Sequence, residues 1–332
     1  MLVATAIYPT AERPFFGTFV RTQVQSLRKV GVDAEPFVLD GRSRKLMYAR
    51  AVPKLRRRLA EDPVDLVHAH YSYVGFVART QRRVPVVLTF HGTDLLGAVD
   101  VRGHTSTWSR VAAAGGRVLA GRVDAVIVQS DQMAQRLRGV ANVHVIPCEV
   151  DLEMFRPYDR AEARQVLGLD PRKRYVLFAA SPEIAVKRYP LAFDAAALLR
   201  DHDPEVELLV VHREPQERFA RYMSACDALV LTSYQEGSPN VVKQAMACNL
   251  PIVTTDVGDV QQIITGTDGC LVVEPRAPAV ARGIENVLSG PGRTAGRQRV
   301  LHLGSEHVAR RLVQVYEAVL ARRRGQIAPT AG

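Results

Sequence analysis

The sequence predicts an α/β protein of two open, doubly wound domains that face a cleft. Three observations lead there. Strand-sized apolar runs alternate with helix-patterned stretches along nearly all 332 residues, the order that builds an open sheet covered by helices. Several runs are apolar on both faces, as buried parallel strands are. The alternation breaks once, between Cys148 and Arg174, where charged residues with Pro157 and Pro171 read as a short helical linker. A chain of this length is comfortable for two domains.

Strands of the first domain are expected at 2–8, 34–39, 65–70, 85–91, 124–130 and 142–147. The first of these has no basic stretch ahead of it, so it reads as a strand and not as a signal peptide. Strands of the second domain are expected at 175–181, 206–212, 227–233, 251–258 and 269–273. The domains are drawn as Rossmann-like units over 1–155 and 156–304. A helix over 305–325 is expected to cross back to the first domain. Ser305 can cap it, and Val308, Leu312, Val315, Tyr316, Val319 and Leu320 form its apolar stripe. Arg322, Arg323 and Arg324 complement its C-terminal dipole. The tail from Gln326 reads as disordered.

Composition narrows the class. Apolar residues are 47% and charged residues 23% of the chain, which fits a soluble globular protein. No apolar run approaches the roughly 20 residues that span a bilayer. Cys148, Cys226, Cys248 and Cys270 form no C-x-x-C pair, so they read as reduced thiols in a cytoplasmic protein. The net charge of +10 favours anionic partners. The basic stretch 42–58 lacks interleaved aromatics apart from Tyr48, which argues against nucleic acid. It could lie on an anionic membrane, with Leu46, Met47, Val52 and Leu55 as its apolar side. Asp201-His202-Asp203 precedes a strand and reads as a solvated turn. His68 and His70 end one strand, with no acidic residue at metal-ligand spacing.

The most informative stretch is 232–258, T-S-Y-Q-E-G-S-P-N-V-V-K-Q-A-M-A-C-N-L-P-I-V-T-T-D-V-G. It reads as strand, loop, helix, turn and strand. Ser238 suits the N-cap and Pro239 the first helical position. Asn249 suits a left-handed stop before Pro251. Backbone N–H groups at Gly237, Ser238, Asn240 and Val241 would then form an anion site at the helix start. Asn240 and Gln244, four apart, share one face. Capping accounts for Ser238, Pro239 and Asn249. It does not account for Glu236, Asn240 and Gln244 on a side expected to be buried.

The run E-G-S-P-N-V-V-K-Q-A-M-A-C-N-L-P resembles the signature of glycosyltransferase family 4, the retaining GT-B enzymes. F-H-G-T-D at 90–94 and V-I-P-C-E-V-D-L-E-M-F-R-P at 145–157 are similar to two further segments of that family, and 1–29 to its opening strand, glycine loop and helix. The resemblance implies a GT-B fold and roles for single residues. Glu236 would contact the hydroxyls of the donor sugar. Gln244 stands where the family has a ribose-binding Glu, which removes a charge-assisted bond. Lys187 would bind phosphate, with Arg188 beside it, and Ser181 stands where an Arg is frequent. His91 would reach the transferred sugar, and Gly17 would approach the diphosphate. Glu149 replaces a glycine of the inter-domain segment.

The implied activity is retaining, metal-independent transfer from a nucleotide-diphosphate sugar, a UDP-sugar first and a GDP-sugar second. No cofactor is called for. The acceptor would be a sugar, a lipid-linked glycan or a small metabolite. The enzyme is expected in the cytoplasm or peripherally at the inner face of the cell membrane. Two rivals stay open: a catalytically degenerate GT-B subunit that binds or activates a partner, and another enzyme on the same architecture, such as a sugar-nucleotide epimerase or a phosphorylase.

Overall fold

The computed structural model describes the backbone over 1–39 and 46–327, and side chains over 1–39 and 48–325. Arg42, Arg44, Lys45 and the side chains of Leu46 and Met47 therefore lie outside the described residues, as does the tail from 328 onward. The chain divides into two compact units. Unit 1 comprises Met1–Gly97, Thr107–Glu149 and the segment from Ser305. Unit 2 comprises Ala98–Ser106 and Val150–Gly304.

Unit 1 runs β1 (Leu2–Thr5), α1 (Thr18–Lys29), β2 (Glu35–Val38), α2 (Leu46–Glu61), β3 (Val67–His70), α3 (Ser72–Arg79), β4 (Val86–Thr89), α4 (Thr93–Leu96), α5 (Thr107–Ala120), β5 (Ala125–Val128), α6 (Asp131–Gln135) and β6 (Val143–Val145). Its strands form a parallel sheet in the order β2-β1-β3-β4-β5-β6. Strands β1, β3, β4 and β5 are buried along their whole length, which is why they read as unbroken apolar runs. Helices α2, α3, α5 and α6 cover one face of the sheet through Leu55, Val74, Leu119 and Met133. Helix α1 covers the other through Val20, Val24 and Leu27.

Unit 2 runs α7 (Arg160–Leu167), β7 (Arg174–Phe178), α8 (Tyr189–Arg200), β8 (Val206–Val210), α9 (Gln216–Ala225), β9 (Ala228–Leu231), α10 (Asn240–Ala247), β10 (Ile252–Thr254), α11 (Val260–Ile264), β11 (Cys270–Val272), α12 (Ala277–Leu288) and α13 (Gly296–Val300). Its sheet is parallel in the order β11-β10-β9-β7-β8. The last helix, α14 (Ser305–Ile327), belongs to unit 1. Val308, Ala309, Leu312, Val315, Tyr316 and Val319 bury its inner face beside α1. Arg323 donates to the carbonyls of Arg82 and Arg83, and Arg322 to Asn142, so these arginines tie α14 to loops of unit 1.

All eleven expected strands are present. The apolar runs overshoot mostly at their C-terminal ends, because buried residues such as Phe90, Gln129 and Thr232 leave the ladder while still inside the fold. The helix α7, inside the second domain as drawn over 156–304, is packed rather than a free linker: it lies on α9 through the buried Ala163, and Arg164 and Arg160 bond Asp227. One expectation is corrected. The apolar side of α2 does not face outward for a membrane. Ala51, Leu55 and Leu59 are buried in the core of unit 1, with Val52 partly buried against them. Asp201-His202-Asp203 is a turn after α8, with Asp203 paired to Arg174. The four cysteines are free thiols.

Candidate active site

In a doubly wound sheet, ligands bind beyond the carboxyl ends of the strands, where the chain reverses its direction across the sheet. The strand orders put that point between β1 and β3 in unit 1 and between β7 and β9 in unit 2. The residues singled out in the sequence fall at both.

In unit 2, β7 leads to a 3₁₀ turn over Ala185–Lys187, and Arg188 caps α8 in the left-handed region at φ 51°. A non-glycine residue there is strained. The loop after β9 holds it in place. Thr232 Oγ1 lies 3.2 Å from the Lys187 carbonyl and 3.1 Å from that of Arg188, and the Tyr234 N–H donates to the Val186 carbonyl at 2.8 Å. Lys187 Nζ then meets Glu236 Oε1 at 2.6 Å, and Ser233 Oγ donates to the same oxygen at 2.6 Å. A cation is poorly placed at a helix start unless an anion accompanies it. Here that anion is the Glu236 carboxylate. Arg188 turns instead toward Tyr234, 4.6 Å above its ring, and donates to the Pro275 carbonyl. Ser181 accepts from the Glu183 N–H in the same turn.

The start of α10 differs from expectation. The helix begins at Asn240, Pro239 is its N-cap, and no side chain caps it. Pro239 is extended, at φ −71° and ψ 113°, so Ser238 sits one residue too early to reach the first-turn N–H groups. Its hydroxyl is buried with no hydrogen-bond partner, and so is Asn240 Oδ1. Gly237 is buried, held against Gly258, where a Cβ would stand 2.9 Å from the Gly237 carbonyl oxygen. Val241 and Lys187 line a small cavity beneath. Gln244 is half-buried one turn along from Asn240. Asn249 takes the left-handed conformation that stops the helix, at φ 56°.

A strap over Ala98–Ser106 also belongs to unit 2. Tyr234 donates to the Val101 carbonyl at 3.1 Å and packs on Gly103. The sequence draws 98–106 within the first domain over 1–155, whereas the strap belongs to unit 2; the sequence reading gives no role to Ser233 or to Tyr234. The only signal was Ser233 standing three residues before Glu236 in the loop.

In unit 1, the ends of β3, β4 and β5 bring His70, His91 and Gln129 together. His70 Nδ1 lies 2.9 Å from His91 Nε2, and Gln129 Nε2 lies 3.1 Å from His91 Nδ1. Both ring nitrogens of His91 thus have protein partners. Its ring is packed against Tyr71, Phe19 and His70. Burial holds His70 down to about 3 and His68 well below the usual imidazole range, so both stay neutral. His70 Nε2 is buried without a partner. His68 is a core residue, bonded to Tyr316 at 2.7 Å and Thr89 at 2.6 Å.

Asp94 fixes the His91 loop. Its carboxylate accepts the His91 N–H and the Ser72 N–H, each at 3.0 Å. Burial raises this carboxyl to about 6, against the lowering effect of its backbone N–H bonds. Sequence reasoning quoted Asp94 but gave it no role. The signal available was an Asp three residues after His91 at the start of a short helix. Gly17 sits at φ 70°, and a Cβ there would lie 2.6 Å from the Ile7 carbonyl. The backbone of unit 1 alone demands a glycine at this position. Glu149, at the end of unit 1, accepts from Ser26 Oγ at 2.8 Å.

The chain is similar to known glycosyltransferases. The model of Glycosyltransferase Family 4 matches residues 13–154, and that of Glycosyl transferases group 1 matches 194–290. A D-inositol 3-phosphate glycosyltransferase of Mycobacterium marinum is 30% identical over 302 residues, which is 79% of this chain. The chain spans 64% of that relative's length. The putative teichuronic acid biosynthesis glycosyltransferase TuaC of Bacillus subtilis is 28% identical, over 86% of this chain and 88% of its own. Sucrose-phosphate synthase from Thermosynechococcus elongatus superposes with a TM-score of 0.79 at 21% identity, covering 97% of this chain and all (100%) of that one. Anabaena HepE, solved with UDP and glucose, superposes with a TM-score of 0.64 at 18% identity, covering 97% of this chain and 99% of its own. The fold is GT-B, two parallel-sheet Rossmann-like units.

Proposed function

We propose that the chain is a glycosyltransferase that moves a sugar from a nucleotide-diphosphate sugar to a hydroxyl acceptor, with retention and without a metal ion. Unit 2 is assigned the donor and unit 1 the acceptor. The observation that carries the reading is the start of α10. Ser238 Oγ and Asn240 Oδ1 are buried there without partners, in the loop that also presents Lys187 bonded to Glu236. Buried polar groups are almost always paired, so two orphans at a helix start call for a polar ligand. A diphosphate would take the first-turn N–H groups and the Ser238 hydroxyl, with Lys187 neutralising its charge as the sugar leaves. Glu236, oriented by Ser233 and Lys187, would accept from the sugar hydroxyls. Similarity to HepE, whose structure holds UDP and glucose, favours UDP as the nucleotide.

Thermal unfolding with UDP, GDP, ADP and dTDP, each with magnesium and with EDTA, tests the donor site. A ligand at 100 times its Kd adds about 2.7 kcal/mol to the native state. For a domain of this size that means several degrees, at roughly 2–4 °C per kcal/mol. A shift by one nucleotide that survives EDTA is expected. No shift with any of them would overturn the assignment. Retention is read separately, from the anomeric configuration of the first product formed.

A further inference from the structure

Unit 1 carries a second surface that the transferase reading does not use. Among the described residues thirteen large apolar side chains are exposed, and five of them lie on α3 and α5. They are Tyr73 (44%), Phe76 (45%), Trp108 (63%), Val111 (58%) and Val118 (55%). On α5, Trp108, Val111, Gly115 and Val118 recur at steps of three and four, so they form one stripe. Phe76 lies 3.6 Å from where a Cβ on Gly115 would stand, which joins α3 to that stripe. The inner faces of both helices are already satisfied, with Val74, Val77, Leu119 and Ala120 in the core.

The surroundings are predominantly basic. Helix α2 has five basic residues, α3 one and α5 two, against Glu61 as the acid within these helices. Arg57 pairs with Glu61, and Arg58 with Glu35 and Asp62, which leaves Arg50 and Lys54 of α2 beside Arg110 and Arg117 of α5 as the charges of this face. Arg110 and Arg117 are exposed along the edge of the α5 stripe. Arg50 and Lys54 are exposed on α2, which packs on α3. Aromatic rings beside aliphatic side chains and arginines suit the interface of a bilayer, and the arginines select anionic headgroups. A second copy of the chain would bring two like-charged faces together, which repels.

We infer that the α3–α5 face of unit 1 docks on an anionic lipid surface. Helix α2 contributes charge to this contact but no apolar face. The association is peripheral, since no helix among the described residues is long and apolar enough to cross a membrane. The inference does not depend on which reaction the chain performs.

Trp108 is the single tryptophan of the sequence, so its emission reports this face directly. The full chain is titrated with vesicles of phosphatidylcholine alone and of phosphatidylcholine mixed with phosphatidylglycerol. The expected result is a blue shift with the anionic vesicles, quenching by brominated lipid, and loss of both at high salt. Replacing Phe76 and Val111 together by Ser should weaken partitioning about tenfold. Each of Arg110→Gln and Arg117→Gln should weaken it about fivefold. These side chains are exposed, so circular dichroism and thermal unfolding should be unchanged. Co-sedimentation with unchanged Trp108 emission would overturn the inference in favour of another face. An equal shift with neutral vesicles would overturn the role of charge. A shift that grows with protein concentration in the absence of lipid would identify a second copy as the occupant instead.

Discussion

Unit 1 and unit 2 share a strand order and end their strands in opposite chemistry. In each sheet the first strand lies between the second and the third; in unit 2 the candidate residues follow the two strands flanking that reversal, and in unit 1 they follow β3 and the next two strands, β4 and β5. In unit 1 those residues are His70, His91 and Gln129, bonded to one another, with the two buried imidazoles of His68 and His70 held neutral. In unit 2 they are a lysine bonded to a carboxylate, beside two buried polar atoms without partners. Topology therefore nominates the carboxyl end of each sheet. Each end leaves buried polar atoms without partners, His70 Nε2 in unit 1 and Ser238 Oγ and Asn240 Oδ1 in unit 2. What separates them is the chemistry around those atoms: unit 2 leaves a hydroxyl donor unspent beside the Lys187–Glu236 pair, where an anion would sit, whereas unit 1 leaves one nitrogen of a neutral imidazole and uses both ring nitrogens of His91.

The sharpest way to break this contrast is to remove one side chain from each end. Glu236→Ala deletes the acceptor shared by Lys187 and Ser233. If unit 2 carries the donor, kcat/KM should fall about 10²–10³-fold, the loss seen when a preorganised active-site group is removed. His91→Ala should cost less, because the ring is engaged by the protein. A larger loss in His91→Ala than in Glu236→Ala would reverse the ranking of the two ends.

A pH titration separates them next. The one carboxyl that clamps the unit 1 site, Asp94, is raised to about 6 from an ordinary 3.8. The folded state therefore holds this proton where the unfolded chain has released it. Stability from this group is full below about pH 4 and is lost as pH rises through about 6, on the order of 3 kcal/mol across the window. The wild-type protein should gain stability relative to Asp94→Asn as pH drops from 7 to 4. A carboxyl resonance titrating near 4 would remove the claim that this end is built for neutral groups.

Glycine substitutions come third. Gly17→Ala and Gly258→Ala both force a Cβ against backbone at positive φ, costing about 1–3 kcal/mol each in stability. The contrast predicts different side effects. Gly258→Ala pushes on the Glu236–Gly237 loop and should also weaken nucleotide binding. Gly17→Ala should lower the melting temperature and leave nucleotide affinity unchanged. Equal losses of affinity would place the diphosphate against Gly17 as well.

The sequence made the frame of this contrast legible and concealed its cause. Buried parallel strands such as 86–89 and 228–231 are continuous apolar runs, so every strand could be read. The stop at Asn249 could be read because few residues accept its backbone. Ser238 reads as the cap because a Ser before a Pro is the usual one, but the extended Pro239 shifts the helix start by one residue and strands the hydroxyl. The pairing of His70 with His91 joins neighbouring strands 21 residues apart, a distance that local pattern does not see. The membrane side assigned to α2 failed for a related reason. Periodicity shows that Val52 and Leu55 share a face but not what covers it, and here the core of unit 1 does.

The smallest effect probes the one place where unit 2 is itself under-charged. Gln244 lies one helical turn from Asn240 and is half-buried, in the position where the resembling family keeps a Glu. An amide oxygen accepts a hydroxyl hydrogen bond, but a carboxylate accepts one about twice as strongly. Gln244→Glu should therefore tighten nucleotide binding about fivefold, close to 1 kcal/mol. The added charge also lies toward the α10 start, where a diphosphate would be repelled. The sign of the change thus reports which group of the nucleotide Gln244 meets. Calorimetry with UDP and with its 2′,3′-dideoxy analogue reads it. A gain with UDP that disappears with the analogue places Gln244 on the ribose. A loss with both places it on the phosphates, and the donor would then lie further along α10 than the Lys187–Glu236 pair indicates.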